Sequence, residues 1–215
     1  MKEYPSIPNS SKAPRQPCFG FVNYDGSNIR MEWSKKQGWY KFGTRTQLLD
    51  AGHPVFGRVI PIFMEKYADD LVKVFQSGKV FRGVDTFTIF GEFFGEKSFA
   101  GMHFPDDQKW DYVLFDVNPY KKGILSPKIF LAEFGHLKVA ELVYQGNLNE
   151  PLIESVRESK FDCTSKYEIK TGVPEGIICK GGEKHKLWMT KIKTSEYREA
   201  LKKRYRNDWE KYWEG

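Results

Sequence analysis

The sequence contains no long run of apolar residues. No stretch approaches the roughly 20 consecutive apolar residues of a membrane-spanning helix, and the opening Met-Lys-Glu-Tyr-Pro-Ser-Ile-Pro lacks the apolar core of a secretory signal. We therefore expect no membrane association and a cytoplasmic location. Internal repeats and low-complexity tracts are also absent from the sequence, so we expect an ordinary globular chain.

Cysteine is scarce. Cys18, Cys163 and Cys179 are far apart in the sequence, and neither a Cys-x-x-Cys pair nor a His/Cys cluster accompanies them. A zinc site and a disulfide framework are therefore not expected, and a reducing compartment fits this usage. The histidines match no catalytic or metal-binding pattern, and we interpret all four as structural or surface residues: His53, His103, His136 and His185.

Positive charge is in modest excess. With 34 Lys and Arg against 28 Asp and Glu, the formal net charge is +6, which suits a polyanionic partner without requiring one. Hydrophobic residues make up 40% of the chain and charged residues 29%, a balance typical of a folded core. The length of 215 residues is enough for one sizeable domain, with or without an appendage.

The spacing of apolar residues predicts an α+β fold, with antiparallel strands and interspersed helices. Four prolines within residues 1–17 indicate an extended lead-in. Residues 18–194 are predicted as the main domain and residues 195–215 as a basic, aromatic C-terminal helix. The predicted strands and helices are as follows: strands in 18–33 around a turn at Asp25-Gly26, and at 86–94, 111–117, 138–144, 175–180 and 186–193; helices at 58–77, 127–134, 150–159 and from Ser195 onward.

The C-terminal segment from Arg198 to Trp213 combines basic residues with tyrosines and tryptophans. Such a surface is able to bind nucleic acid through charge and base stacking. Its aromatic face is equally able to pack on the rest of the domain, and the sequence leaves both interpretations open.

Six short motifs follow one another along the chain. Each alone is unremarkable, since Asp-Gly turns and Phe-Gly strand ends are common. Their joint occurrence is far more specific than any one of them. In order they are Asn-x-Asp-Gly-Ser-Asn (23–28), Thr-Arg-Thr (44–46), Phe-Gly-Glu-Phe-Phe-Gly (90–95), Tyr-Val-Leu-Phe-Asp-Val (112–117), Glu-Gly-Ile-Ile-Cys-Lys (175–180) and Lys-Ile-Lys (191–193).

This series resembles motifs I, Ia, III, IIIa, IV and V of the ATP-dependent RNA ligases, and of the related DNA ligases and mRNA capping enzymes. The resemblance covers residues 4–193. The Glu-Phe-Phe-Gly form, Asn28 and the lead-in Tyr4-Pro-Ser-Ile-Pro favour an RNA ligase over a DNA ligase. It implies a nucleotidyltransferase domain of the covalent superfamily, with antiparallel sheets flanked by helices and an ATP pocket between them.

The resemblance also implies an activity. A ligase of this family joins 5′-phosphate and 3′-hydroxyl ends through an enzyme-adenylate and an adenylylated strand. It uses ATP and Mg²⁺ (or Mn²⁺), acts on RNA or DNA ends as in RNA repair, and is expected to be a monomer. A small ligase of this kind suggests a phage or viral source, in which case the location is the host cytoplasm.

Asn23 stands where the family has its nucleophilic lysine. That lysine attacks the α-phosphorus of ATP and expels pyrophosphate, whereas the nitrogen lone pair of an asparagine amide is delocalised into the carbonyl. The chain as written is therefore not expected to form a lysyl-adenylate. Asp25 and Gly26, in the same motif, are assigned to nucleotide binding. An engineered Lys→Asn variant and a natural, inactive nucleotide- or RNA-binding protein both remain open as explanations.

Three further residues are implied as contacts of the nucleotide or the strand. Arg45 and Arg30 would contact ribose, phosphate or the nucleic-acid end, although Arg30 is also a candidate for a surface ion pair. Phe115 would stack on the adenine, with Tyr112 as the second candidate. The alternative for Phe115 is an ordinary core position.

The charged residues of the later motifs are implied as the phosphate and metal ligands. Glu92 would bind a ribose hydroxyl or the metal, and Glu175 would hold the catalytic metal, mostly through water. Lys191 and Lys193 are two apart on a predicted strand, so both face one side, which would be the phosphate pocket. Lys180 would join them, unless it is simply solvated.

Too few residues follow Lys193 for the OB-fold of DNA ligases and capping enzymes or the helical domain of many RNA ligases. We therefore expect a minimal catalytic domain, natural or truncated.

Overall fold

The computed structural model describes residues 1–161 and 175–213, so Cys163 lies outside the described residues. It confirms the α+β prediction, with two antiparallel sheets and helices around them. The strands are β1 (Pro17–Asn23), β2 (Ser27–Ser34), β3 (Gly38–Gly43), β4 (Leu48–Leu49), β5 (Thr86–Gly95), β6 (Trp110–Pro119), β7 (Leu142–Asn147), β8 (Gly176–Gly181) and β9 (Trp188–Lys193). The α-helices are α1 (Val59–Phe63), α2 (Asp69–Ser77), α3 (Pro127–Phe134), α4 (Glu150–Arg157), α5 (Ser195–Tyr205) and α6 (Glu210–Trp213).

The two sheets have the strand orders β7-β1-β8-β9 and β4-β3-β2-β5-β6. Strands β1 and β2 are consecutive in the chain, yet they lie in different sheets. The chain crosses between the sheets at Asp25-Gly26, where the Asp25 carboxylate accepts backbone N–H groups of Ala100 (2.8 Å) and Gly101 (3.3 Å). Gly26 is required at this crossing because a Cβ would lie 2.4 Å from the carbonyl oxygen of Phe93.

The largest core lies between the five-stranded sheet and helices α1, α2 and α3. It is rich in aromatic rings, and Phe75 of α2 stacks on Phe87 of β5 with ring centroids 3.9 Å apart. Burying each such ring stabilises the fold by about 1.5–3 kcal/mol. A smaller core joins α4 to the four-stranded sheet through Ile153, Val156 and Ile177.

The predicted helix over 58–77 is present and ends before Gly78, but its middle, Met64–Ala68, is a π-helical turn. The wider turn accompanies a buried Tyr67, whose hydroxyl lies 2.9 Å from the carbonyl oxygen of Tyr112 and 2.8 Å from that of Lys138. In the residues that the structure describes, no helix is both long enough and apolar enough to cross a membrane.

The strands of the structure differ from the predicted ones in two respects. The strand predicted at 138–144 starts later, at Leu142, because Ala140 instead donates its N–H to the carbonyl oxygen of Leu114 in β6 (2.7 Å). Strands β3 and β4 were not predicted, since their residues are largely half-exposed and carry no clear alternation. The C-terminal helix is also broken, because Arg206 adopts a φ of 48°.

Candidate active site

A cavity of about 560 Å³ opens between the two sheets. The N-terminal residues 4–7, the 44–47 loop and strands from both sheets form its walls. Most of the site residues predicted from the sequence line it: Asn23, Gly26, Arg45, Glu92, Phe115, Glu175, Lys180 and Lys191. Asp25, Arg30 and Lys193 are not among its lining residues.

Strand pairing brings the distant motifs together. In the register of β1 with β8, Asn23 lies opposite Gly176, the neighbour of Glu175. Strand β9 then pairs with β8, placing Lys191 opposite Ile178. The first motif, at the end of β1, therefore lies beside residues that follow it by more than 150 positions in the chain.

Two carboxylates face the cavity. Glu92 accepts a hydrogen bond from the backbone N–H of Gly26, while burial and the negative charges of Glu175 and Asp25 raise the pKa of Glu92 well above its usual range. The positive charge of Arg45 acts in the opposite direction and lowers the pKa of Glu92. Burial also raises the pKa of Glu175, although Lys193 opposes the shift. A bound cation would relieve this repulsion.

A protein-only metal cage is absent from residues 1–161 and 175–213, where no group of three or more His, Cys, Asp or Glu side chains is arranged to hold a metal. Mg²⁺ commonly binds through one or two carboxylates together with substrate phosphates and waters. Glu92 and Glu175 fit that arrangement, because they supply the carboxylates and leave the remaining positions to phosphate oxygens.

Lys191 and Lys193 have different surroundings. Lys191 lines the large cavity, whereas the buried Lys193 ammonium forms an ion pair with Glu175 at 2.7 Å. The rings of Tyr197 and Trp213 lie 5.5 Å from the Lys193 Nζ. Lys193 therefore contacts Glu175 through this ion pair and does not line the large cavity.

Lys180 is not solvated but belongs to a buried polar cluster that its motif did not predict. Its Nζ donates to the Asp116 carboxylate (2.8 Å) and to the carbonyl oxygen of Phe115 (3.0 Å). The hydroxyl of Tyr4 donates to the same carboxylate. Asp116 is 1% exposed, and a carboxylate inside the apolar motif at 112–117 was the signal that could have identified it.

The two aromatic residues proposed to stack on the adenine, Phe115 and Tyr112, lie in different environments. Phe115 is half-buried and lines the cavity, with Tyr4 packed edge-on at 5.0 Å. Tyr112 is fully buried in the core beside Phe63 and Tyr67. Of the two rings, only that of Phe115 lies where a base could stack.

The two arginines proposed to contact the nucleotide or the strand, Arg45 and Arg30, also lie in different environments. Arg45 is exposed on the 44–47 loop at the cavity wall. Arg30 is 5% exposed and its Nη1 donates to the carbonyl oxygen of Met1 (3.2 Å), so it contacts the N-terminal segment and does not reach the lining of the large cavity.

The C-terminal segment packs on the domain through its aromatic side chains. Tyr197 is buried, hydrogen-bonds the carboxylate of Asp25 and contacts the ring of Phe99 at 5.5 Å. The ring of Tyr205 also lies parallel to that of Phe99, with the ring centroids 6.3 Å apart. These contacts agree with the packing interpretation of this segment.

No family model matches the sequence, and no curated protein matches it. Solved structures do resemble it. The Naegleria gruberi RNA ligase, as an apo variant, has a TM-score of 0.64 at 15% identity over 94% of this chain and 58% of that chain. An archaeal ATP-dependent RNA ligase has a TM-score of 0.59 at 16% identity over 94% and 50%. Another Naegleria gruberi variant, solved with ATP and Mn, has a TM-score of 0.58 at 16% identity over 86% and 52%.

The chain therefore has the fold of these RNA ligases, with two antiparallel sheets and flanking helices. It spans between 50 and 58% of the length of the three structures.

Proposed function

We propose that this chain is the nucleotidyltransferase domain of an ATP-dependent polynucleotide ligase acting on RNA ends, and that Asn23 stops it before the first covalent step. The observation that carries the proposal is the one cavity that collects Asn23, Arg45, Glu92, Glu175 and Lys191 from five separate motifs. The similarity in fold to ATP-dependent RNA ligases supports it.

In the proposed complex, Phe115 stacks on the adenine, and Lys191 and Arg45 neutralise the phosphates as charge moves to the leaving group. Glu92 and Glu175 would hold Mg²⁺ or Mn²⁺, which supplies charge neutralisation at the phosphate oxygens when bound. A similar fold solved with ATP and Mn supports this assignment. The remaining requirement is a neutral amine at position 23, which an asparagine does not supply.

This proposal predicts nucleotide binding without covalent chemistry. Titration calorimetry with ATP and Mg²⁺ should give saturable binding, while intact-protein mass spectrometry should show no added AMP. ATP should bind in preference to GTP, whereas the reverse preference would favour a capping enzyme. A covalent AMP adduct on the chain as written would refute the role given to Asn23, and absence of any nucleotide binding would refute the proposal itself.

A natural, inactive ligase-fold protein that binds nucleotide or RNA is the second candidate, because Asn23 by itself is compatible with it. A strand that is already 5′-adenylylated separates the two functions. The ligase proposal expects sealing to an adjacent 3′-hydroxyl, since this step attacks a pyrophosphate linkage already on the strand. Binding of the strand with no sealed product would favour the inactive protein.

Replacing Phe115 by alanine should weaken ATP binding. Base–aromatic stacking contributes about 1–3 kcal/mol per base, so the dissociation constant measured by calorimetry should rise by about five- to 150-fold. Phe115→Tyr keeps the ring and should bind almost normally. Tyr120→Ala, which removes a 63% exposed ring just after β6, is the matched control. Unchanged ATP affinity in Phe115→Ala would assign this ring to packing alone.

Glu92 should make metal-dependent ATP binding depend on pH. Because its pKa is raised, the carboxyl retains its proton at mildly acidic pH, and a bound cation must displace that proton. The apparent affinity for Mn²⁺ with ATP should therefore rise with pH across this range, with proton release detectable by calorimetry in buffers of different ionisation enthalpy. Glu92→Gln should weaken metal binding and reduce the proton release, while Glu96→Gln, at a half-exposed position on the turn after β5, should change neither.

The same raised pKa sets the sign of a stability effect. The folded state binds the Glu92 proton more tightly than the unfolded state, so without ligands the free energy of unfolding falls as pH rises from the ordinary glutamate pKa through the raised one. Denaturant unfolding at several pH values should show this fall, and Glu92→Gln should make it smaller, since the raised pKa of Glu175 still contributes. An equal slope in both proteins would contradict the assignment.

A further inference from the structure

A second cavity of about 280 Å³ lies on the far side of Lys191 from the larger cavity. Lys191 lines both cavities and so forms a shared wall. The other described lining residues are Asn9, Ser10, Ser11, Arg157, Ile192, Lys193 and Trp213.

The charged side chains that line this second cavity are all positive. Three cationic side chains line it, those of Arg157, Lys191 and Lys193, and the described lining residues include no aspartate or glutamate. Lys193 is already ion-paired to Glu175, whereas Arg157 is exposed at the end of α4. Serine hydroxyls and an asparagine amide complete a polar wall. Such a combination of cations and small hydroxyl groups is suited to phosphate oxygens.

The N-terminal wall of this cavity is held in place by β9. The backbone N–H of Lys191 donates to the carbonyl oxygen of Pro8 (2.9 Å), and the Thr190 hydroxyl donates to the same oxygen (3.0 Å). Asn9 accepts a hydrogen bond from the backbone N–H of Ser11 (3.1 Å). The serines are therefore fixed opposite the lysines before any ligand arrives, which lowers the entropic cost of binding.

We propose that this second cavity is a phosphate subsite, in which Arg157 and the Ser10–Ser11 wall hold a phosphate group that reaches it past Lys191. The proposal rests on the proposed ligase function, which offers two sources of this one chemistry. The first is the pyrophosphate portion of ATP, and the second is the 5′-phosphate of the strand to be joined. The cavity has room for a phosphate or pyrophosphate group, and Lys191 would contact phosphates on both of its sides.

Arg157→Ala tests the subsite, with inorganic pyrophosphate as the probe and calorimetry on the full chain. Losing one charge-assisted contact should weaken pyrophosphate binding about tenfold, and Arg157→Lys should recover part of it. Lys160→Ala is the matched control, because it removes a nearby exposed cation that does not line the cavity and is paired with Glu158. Thermal melting should show that all three variants remain folded.

Two further titrations identify the source of the phosphate. If ATP supplies the phosphate, Arg157→Ala should weaken the binding of ATP and leave the affinity for AMP unchanged. If the strand supplies the phosphate, the variant should bind a 5′-phosphorylated oligoribonucleotide more weakly. Its affinity for the same oligoribonucleotide with a 5′-hydroxyl should be unchanged. Equal pyrophosphate affinity in the parent chain, Arg157→Ala and Lys160→Ala would overturn the subsite even when ATP binds normally. Failure of the parent chain to bind ATP would instead refute the proposed function.

Discussion

Replacing Asn23 by lysine should give a chain that becomes covalently adenylylated by ATP and Mg²⁺. The change supplies the amine nucleophile that the site lacks, at the position where β1 ends opposite Gly176. Lys191 and Arg45 line the same cavity, and their positive charge favours the neutral form of an introduced amine. Removing a catalytic nucleophile typically costs about 10⁶-fold in rate, so the gain should take the reaction from undetectable to readily measurable.

Mass spectrometry and labelled ATP measure this gain directly. Asn23→Arg is the matched control, because it adds the same charge without a neutral amine at accessible pH, and it should form no adduct. The adduct yield of Asn23→Lys should also rise with pH as more of the amine loses its proton. If Asn23→Lys binds ATP and still forms no adduct, the inactive, nucleotide-binding protein becomes the better account.

Sealing assays with the Asn23→Lys protein would then identify the substrate. Nicked duplexes and single strands of RNA and of DNA, each with 5′-phosphate and 3′-hydroxyl ends, separate the four classes of joining reaction. The proposal expects product with RNA ends. Sealing confined to DNA nicks would reassign the chain to the DNA ligases.

Replacing Asp116 by alanine should lower the free energy of unfolding by about 3–5 kcal/mol. Lys180 is 3% exposed and its ammonium is paired with Asp116 at 2.8 Å, so the variant leaves a buried charge without its counter-ion. The hydroxyl of Tyr4 loses its acceptor as well. Few single substitutions have effects of this size.

Urea denaturation would measure this loss, provided that the unfolding is two-state. Asp106→Ala removes an exposed aspartate that is also paired with a lysine, Lys97, and should cause no measurable loss because surface pairs contribute little. The double variant Asp116→Leu with Lys180→Met should recover much of the stability, since it removes both charges together. A loss in Asp116→Ala no larger than that in Asp106→Ala would show that the pair is not buried in solution.

The sequence by itself determined the residue types of the site and the chemistry that they exclude. The motifs at 23–28, 90–95 and 175–180 can be read directly from the sequence, and an asparagine amide lacks the free amine lone pair with which a lysine attacks ATP. Local periodicity also predicted the strands at 86–94 and 111–117 and the helix at 127–134, because alternation and helical spacing depend only on near neighbours.

The tertiary structure alone decided which of those residues share a cavity. Lys191 and Lys193 have the same local pattern, yet Glu175 and the C-terminal helices enclose Lys193 while Lys191 faces the space between the sheets. Arg30 and Arg45 were assigned the same role from the sequence, and the structure separates them because Arg30 donates to the carbonyl oxygen of Met1, whereas Arg45 lines the cavity. These outcomes depend on pairing between segments far apart in the chain, such as β1 with β8, and local sequence patterns carry no information about such pairings.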